Sequence, residues 1–230
     1  QACYHDADND TDPTCTGKHI ETGHYYMDQD YSSFIQYKVG AYRNSTALAS
    51  EDVVVDLNGH DLGGAYRAFY IHPGKGDVPD STLTLLDSYG GAVVSGDGSN
   101  AQGGGVLYNE SSNLNIYGGK YVYKVNASRV VKGGSVLFNS GVLNIYGGVF
   151  DGSAYENAEQ VGGTIYTTGS GKVVNISGGL FIGGKAKDGG TVYVGYNNQT
   201  AITGGIFRDG EAVETGGNLR VYGTSSYTSG

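Results

Sequence analysis

The sequence predicts a parallel β-helix, an all-β solenoid of about six coils, and three observations carry that prediction. Leu114-Asn115-Ile116-Tyr117-Gly118-Gly119 returns as Leu143-Asn144-Ile145-Tyr146-Gly147-Gly148, then as Val174-Asn175-Ile176-Ser177-Gly178-Gly179, and in shorter form as Ala201-Ile202-Thr203-Gly204-Gly205. Repetition of this kind marks a stack of equivalent units. A second glycine ladder is interleaved with the first: Gly104-Gly105, Gly133-Gly134, Gly162-Gly163, Gly189-Gly190 and Gly216-Gly217, in steps of 29, 29, 27 and 27 residues. Around the pairs apolar and polar residues alternate, Leu114 and Ile116 against Asn115 and Tyr117, which is the period of a half-buried strand. No helical stripe interrupts the repeat, so short strands closed by Gly-Gly corners stack coil on coil.

Taken in chain order, residues 1 to about 50 lack the repeat and are expected to form a small N-terminal cap, with residues 51–230 as the solenoid. Cys3 and Cys15 are the only cysteines. In an exported chain such a pair reads as a disulfide that pins a loop and contributes ~3 kcal/mol where its geometry is unstrained. Asp6, Asp8, Asp10 and Asp12 stand at alternate positions, like the start of an oxygen-rich calcium loop. Thr11 and Gly17 occupy the places where an EF-hand needs Gly and Glu, and the competing reading is a solvated acidic loop. Tyr25, Tyr26, Phe34, Ile35, Tyr37 and Val39 supply enough apolar surface to cover a first coil.

Val53 to His60 then opens the solenoid, and Leu83-Thr84-Leu85-Leu86-Asp87 follows one coil later. The Pro-containing loop from His72 to Pro79 is expected to leave it as a side lobe. Val106, Val136, Ile165, Val192 and Leu219 are predicted as an interior ladder. Tyr121, Phe150, Phe181 and Phe207, each just after a Gly pair, form an aromatic one, and Asn115, Asn144 and Asn175 an outer or corner ladder. The tail from Tyr222 to Gly230 holds no amphipathic helix to cover the last coil, which predicts an open strand edge.

Composition narrows the function. The 230 residues include 41 Gly but only 3 Pro, and the glycines sit in an ordered repeat, so they mark corners and not low complexity. A net charge of −9 argues against nucleic acid as a partner. No run of 18 apolar residues predicts a membrane span. The chain begins at Gln1 without Met, as a mature exported chain would. Acceptor sequences for N-glycosylation occur at Asn9, Asn44, Asn109, Asn126, Asn175 and Asn198. Chance would generate roughly two or three. A secreted or surface location follows, with N-linked glycans as the expected added groups and no cofactor. Asn175, between Val174 and Ile176, is expected to face out.

The V-x-V-D-L-N-G-H start at Val53, the L-x-I-x-G-G-x-F coils and the interleaved G-G-x-V-Y resemble the right-handed parallel β-helix superfamily, which includes pectate-lyase-like proteins and many surface adhesins. The resemblance spans residues 51–222 and implies the right hand of the coil. It leaves the activity open, because such folds host lyases, hydrolases, epimerases, adhesins and structural rods. Active members cluster Asp, Arg or Lys on one face, and glycoside hydrolysis needs two carboxyls about 5–10 Å apart. Here the regular coils carry Asn, Tyr, Ser and Thr at those positions, and the N-T-D, G-H-G and R-I-K triplets of polygalacturonases are absent. The best remaining constellation is Asp56, His60, Asp61 and Asp87, although His60 after Asn58-Gly59 reads better as a turn residue. G-G-x-V also resembles bacterial polymorphic surface proteins, whose F-x-x-N companion is missing. A row of Thr164 and Thr191, continued by Ser135 and Asn218, is too irregular for an ice-binding array.

The function expected is therefore that of a non-enzymatic secreted structural glycoprotein whose subunits stack head to tail into a fibre or sheath. The alternatives are a carbohydrate-binding or polysaccharide-cleaving β-helix, with Tyr117, Tyr146, Tyr166 and Tyr193 as sugar platforms, and an adhesin domain of a longer surface protein.

Overall fold

The computed structural model describes residues 17–32, 36–40, 50–63, 67–74, 77–98, 103–126, 131–222 and 225–227. These residues form a parallel β-solenoid without a helix. Parallel strands cannot be joined by a tight hairpin, so each coil travels once around the axis before the chain pairs with itself. Three faces result. A representative coil places Leu107–Asn109 on the first face, Asn113–Ile116 on the second and Lys120–Tyr123 on the third. The next coil repeats the pattern with Leu137–Asn139, Val142–Ile145 and Val149–Asp151.

The first and second faces hold eight strands each, the third holds six, and Glu156–Asn157, Lys185–Asp188 and Glu211–Thr215 add a short fourth sheet. Among the described residues six coils carry a strand on all three main faces. The expected step from Val53 to Leu83 is present as a parallel pair, as are Leu114 with Leu143 and Leu143 with Val174. No described helix is long and apolar enough to cross a membrane.

The interior is a set of stacked rows. On the third face Tyr121, Phe150, Phe181 and Phe207 lie ring over ring, with centroids 5.2, 5.0 and 4.7 Å apart and planes within 19°. This spacing is that of strands in a sheet, which lets each ring offset-stack on the next. The first three rings are fully buried. On the second face Leu85, Ile116, Ile145, Ile176 and Ile202 stack in the same way. The inner row of the first face differs by one residue from the expectation in two coils: Leu107 and Leu137, not Val106 and Val136, align with Ile165, Val192 and Leu219. The triple Gly103-Gly104-Gly105 admits two alignments. In the fold the Gly104 N–H donates to Gly134 O (2.9 Å) and Gly133 O (3.3 Å), and the Gly105 N–H to Ser135 O (2.7 Å). The left-handed glycines accordingly stack as Gly104, Gly134, Gly162, Gly189 and Gly216.

Both members of the other Gly pairs have a separate cause. A Cβ on Gly178 would sit 2.3 Å from Tyr146 O of the coil before, and one on Gly204 2.3 Å from Ser177 O. The first glycine is thus required by the close approach of successive coils. The second turns the corner with φ of +88° at Gly119, +101° at Gly148, +106° at Gly179 and +102° at Gly205, a region that side chains disfavour.

The sheets begin before the repeat does. Gly17–Ile20 pairs with Gln36–Val39, Gly23–Tyr26 with Asp52–Asp56, and Tyr31 bridges to Leu62. Gly17–Ile20, Gly23–Tyr26 and Gln36–Val39, within the stretch expected as a cap, thus pair onto the first two faces. Cys3, Cys15 and the four aspartates Asp6, Asp8, Asp10 and Asp12 lie outside the described residues.

Candidate functional site

The constellation Asp56, His60, Asp61 and Asp87 is brought together at the corner between the second and third faces of the first full coils. Its carboxylates are occupied with backbone. Asp56 Oδ1 accepts from the N–H groups of Asn58 and Ser88, both at 2.9 Å, and Oδ2 takes the Ser88 hydroxyl. Asp87 accepts from Gly59 N (2.8 Å) and Ala92 N (3.1 Å), and Asp61 from Val93 N (2.8 Å). His60 Nδ1 lies 3.2 Å from Asp30 Oδ1, which also accepts the Asp61 N–H. These groups tie the wide early corners to one another. Burial pushes the Asp56 carboxyl up, but the hydrogen bonds from Ser88 and Asn58 outweigh it and hold the group below its ordinary value. The Asp61 N–H, then His60, lower Asp30. A general acid needs the opposite shift.

The sequons separate into two kinds. Asn109 is fully buried where the first face turns into the second; its amide donates to Asn139 Oδ1 (2.7 Å) and Ser112 O (2.9 Å). Asn198 is buried at the same turn of a later coil and donates to Gly195 O. Neither amide has room for a sugar in the folded coil. Asn126 and Asn175 are half-buried, and Asn175 faces out, as the alternation implies. Its Nδ2 donates to Asn144 Oδ1 (2.8 Å), Asn144 donates to Asn115 (2.9 Å) and Asn115 to Thr84 Oγ1 (3.2 Å). The outer asparagine ladder is a continuous amide chain. Asn9 and Asn44 lie outside the described residues.

The four tyrosines grouped as a sugar platform occupy two surfaces. Tyr117 and Tyr146 project at the corner after the second face, stacked at 4.4 Å and about half exposed. Tyr166 and Tyr193 belong to the outer row of the first face, where Tyr70, Tyr108 and Phe138 stack but Phe138, Tyr166 and Tyr193 meet edge to face. Rings inside such a stack present their edges to solvent, and only the ring at the end of a stack keeps a face open. Thr164 and Thr191 are fully buried, their hydroxyls bonded to the Ile182 and Arg208 carbonyls. They form no outward row.

Sequence reading missed Arg67. Its guanidinium is buried over the Tyr108 ring at 4.2 Å, with Nε donating to Gly104 O (2.9 Å) and Nη2 to Gly103 O (3.0 Å). Burial pushes its pKa down, while Tyr108, Tyr70 and Glu110 act against that. Tyr70, raised first by burial and then by Glu110, donates to Glu110 Oε2 at 2.5 Å. This cluster clamps the outside of the first face to the glycine-rich corner, and no local pattern announces it. Tyr155 is a second such clamp, accepting from Gly133 N and donating to Val131 O, both at 3.0 Å; burial pushes its hydroxyl up to about 12.

The ends of the stack are apolar. At one end a cavity of about 310 Å³ is lined by Ile20, Tyr25, Met27, Tyr31, Tyr37 and Phe69 among others. At the other, Phe207, Leu219 and Val221 are only half-buried, while Ile206 belongs to the outward row of the third face with Lys120, Val149 and Leu180. Their counterparts Phe181, Val192 and Val194, one coil earlier, are fully buried. Comparison with protein families, with curated proteins and with solved structures finds no match to the chain.

Proposed function

We propose that the chain is a non-enzymatic structural solenoid of an extracellular surface, whose terminal coils dock head to tail on further copies. The apolar end formed by Phe207, Leu219 and Val221, beside the edge strands of the last coil, is the observation that carries this reading. A second copy presenting its apolar mouth around Ile20, Tyr31 and Tyr37 would continue both the sheets and the core. Such an interface is heterologous and does not close, so it propagates as a filament. The coil is right-handed in this reading, as parallel crossovers are in nearly all sheets. Asn126 and Asn175 carry glycans that keep the filament sides apart.

The carboxylate geometry supports the non-enzymatic part. Asp56, Asp61 and Asp87 each already hold one or more backbone donors, which leaves the early corner without a poised acid and base pair.

Negative-stain electron microscopy and sedimentation test the assembly. The intact protein is expected to form filaments with an axial repeat of roughly 30–45 Å, set by coils about 4.8 Å apart and the added end segments. Leu219→Lys combined with Val221→Lys, at the apolar end itself, should leave circular dichroism unchanged and keep the chain monomeric. A wild-type chain that sediments as a monomer at all concentrations, or a double variant that still forms filaments, would overturn the proposal.

A further inference from the structure

Along the corner between the second and third faces, successive coils place Tyr117, Tyr146, Ser177 and Thr203 in one outer row. Their N–H groups donate in order to Leu85, Ile116, Ile145 and Ile176 of the coil before. Tyr117 and Tyr146 stack with planes within 16°, so Tyr117 covers one face of Tyr146. The opposite face of Tyr146 looks toward the next coil, where the row continues with the exposed Ser177 and then Thr203 and carries no ring.

The amide chain ends on that same coil. Asn175 Nδ2 donates to Asn144, but the residue paired with Asn175 in the following coil is Ala201. Asn175 Oδ1 is left as the open acceptor end of the ladder. One aromatic face, one amide oxygen and two hydroxyls therefore border a single step in the surface, floored by short side chains.

We propose that this step is a pyranose-binding ledge. A sugar with equatorial hydroxyls presents C–H hydrogens on its flat side, which suit the electron-rich face of Tyr146. Its rim hydroxyls meet three groups: Asn175 Oδ1 as an acceptor, the Ser177 hydroxyl, which accepts while its proton points at the Ile145 carbonyl (3.4 Å), and the Thr203 hydroxyl, which donates and accepts. A single ring face supports only weak binding, with a Kd on the order of a millimolar. The sugar has two possible sources: a free glycan, or the first residue of a glycan carried by Asn175, whose Asn-Ile-Ser acceptor sequence lies on the ledge itself. A linked sugar still leaves Asn175 one N–H for Asn144. The ledge lies on the side of the solenoid; Thr203 shares its coil with Phe207, but Ser177 and Tyr146, the positions varied below, lie one and two coils before it and leave the end itself unchanged.

Two arms test it. Protein from a non-glycosylating host is titrated with chitotetraose and with cellotetraose, followed by NMR at the amides of residues 146, 177 and 203. Shifts are expected there, and Tyr146→Ala should weaken binding about fivefold or more. Ser177→Tyr, which continues the ring stack and fills the ledge while keeping Tyr146, should weaken it equally, with Tm preserved or raised. Protein from a glycosylating host is mapped for occupancy at Asn175 and nitrated at tyrosine. With an attached sugar, Tyr146 should be protected relative to Tyr117, and enzymatic removal of the glycan should abolish the difference. Shifts in the first arm assign a free glycan, and protection in the second assigns the attached one. Neither shifts nor protection, or binding unchanged in both variants, overturns the ledge. Both variants should still assemble end to end, so a failed filament and a failed ledge are read separately.

Discussion

The corner between the second and third faces is built in two ways in one molecule. In the early coils it is a wide turn held by side chains, with Asp56, Asp61 and Asp87 each accepting backbone N–H groups from residues of the same or the adjoining coil. In the later coils it is two glycines long, and the backbone alone makes the turn, from Gly118-Gly119 through Gly204-Gly205. The first solution tolerates varied residues but depends on ionised carboxylates. The second is insensitive to pH and, at Gly147, Gly178 and Gly204, leaves no room for a Cβ.

The difference can be broken from either side, and the glycine side should break harder. Gly178→Ala puts a methyl 2.3 Å from Tyr146 O, and overpacking of this kind should cost roughly 2–3 kcal/mol in urea denaturation. The same change at Gly90 of the early corner meets nothing within 4 Å, although φ there is +81°. It should cost about 1–2 kcal/mol, for backbone strain alone. On the carboxylate side, Asp56→Ala orphans the Asn58 and Ser88 N–H groups and should cost about 1 kcal/mol, as the loss of a helix cap does.

Acid separates the two constructions without mutation. The folded-state pKa values of Asp56 and Asp30 are depressed. Their contribution is fully present above the unfolded carboxylate value near ~3.9 and is lost as pH falls through the lower folded values. Hydrogen exchange, corrected for intrinsic rates, should therefore show the amides of Asn58, Asp61 and Ser88 losing protection toward pH 2. The amides of Tyr146 and Ser177, beside glycine corners, should keep theirs. The smallest expected effect is on the amide ladder: Asn144→Ala removes two outward-facing hydrogen bonds whose partners can turn to water, and should cost about 0.5 kcal/mol.

The same contrast explains what could be read from the chain. The later coils announce themselves because a corner that excludes Cβ writes glycine into every copy, and Leu114-Asn115-Ile116 and its repeats keep a strict period of two. The aromatic and asparagine ladders followed directly from that register. The strands Gly17–Ile20, Gly23–Tyr26 and Gln36–Val39 were invisible because they carry no Gly pair, while Gly103-Gly104-Gly105, and Gly133-Gly134 where both glycines are left-handed, allowed the one-residue slips that misplaced Val106 and Val136. Asn109 and Asn198 show a different limit. A sequon records only three adjacent residues, whereas the inward turn that buries these amides is set by strand pairing about 30 residues away. Arg67 was hidden for the same reason, since its partners at Gly103 and Gly104 lie 36 and 37 residues on. Of the ledge, Tyr146 and Asn175 were singled out separately, but only the register shows that both rows end at the same coil.

Because the strand pairs among the described residues are all parallel, the backbone hydrogen bonds of the sheets run along the long axis of the rod. Tension applied between its ends loads those bonds lengthwise, one coil after another, and not all together in shear. The rod should yield stepwise under force, each coil releasing about 90–100 Å of chain at ~3.3–3.6 Å per residue. A surface carrying such rods would lengthen in discrete increments and absorb work at each one, with the stacked rings at Tyr121, Phe150, Phe181 and Phe207 parting singly as the coils come away.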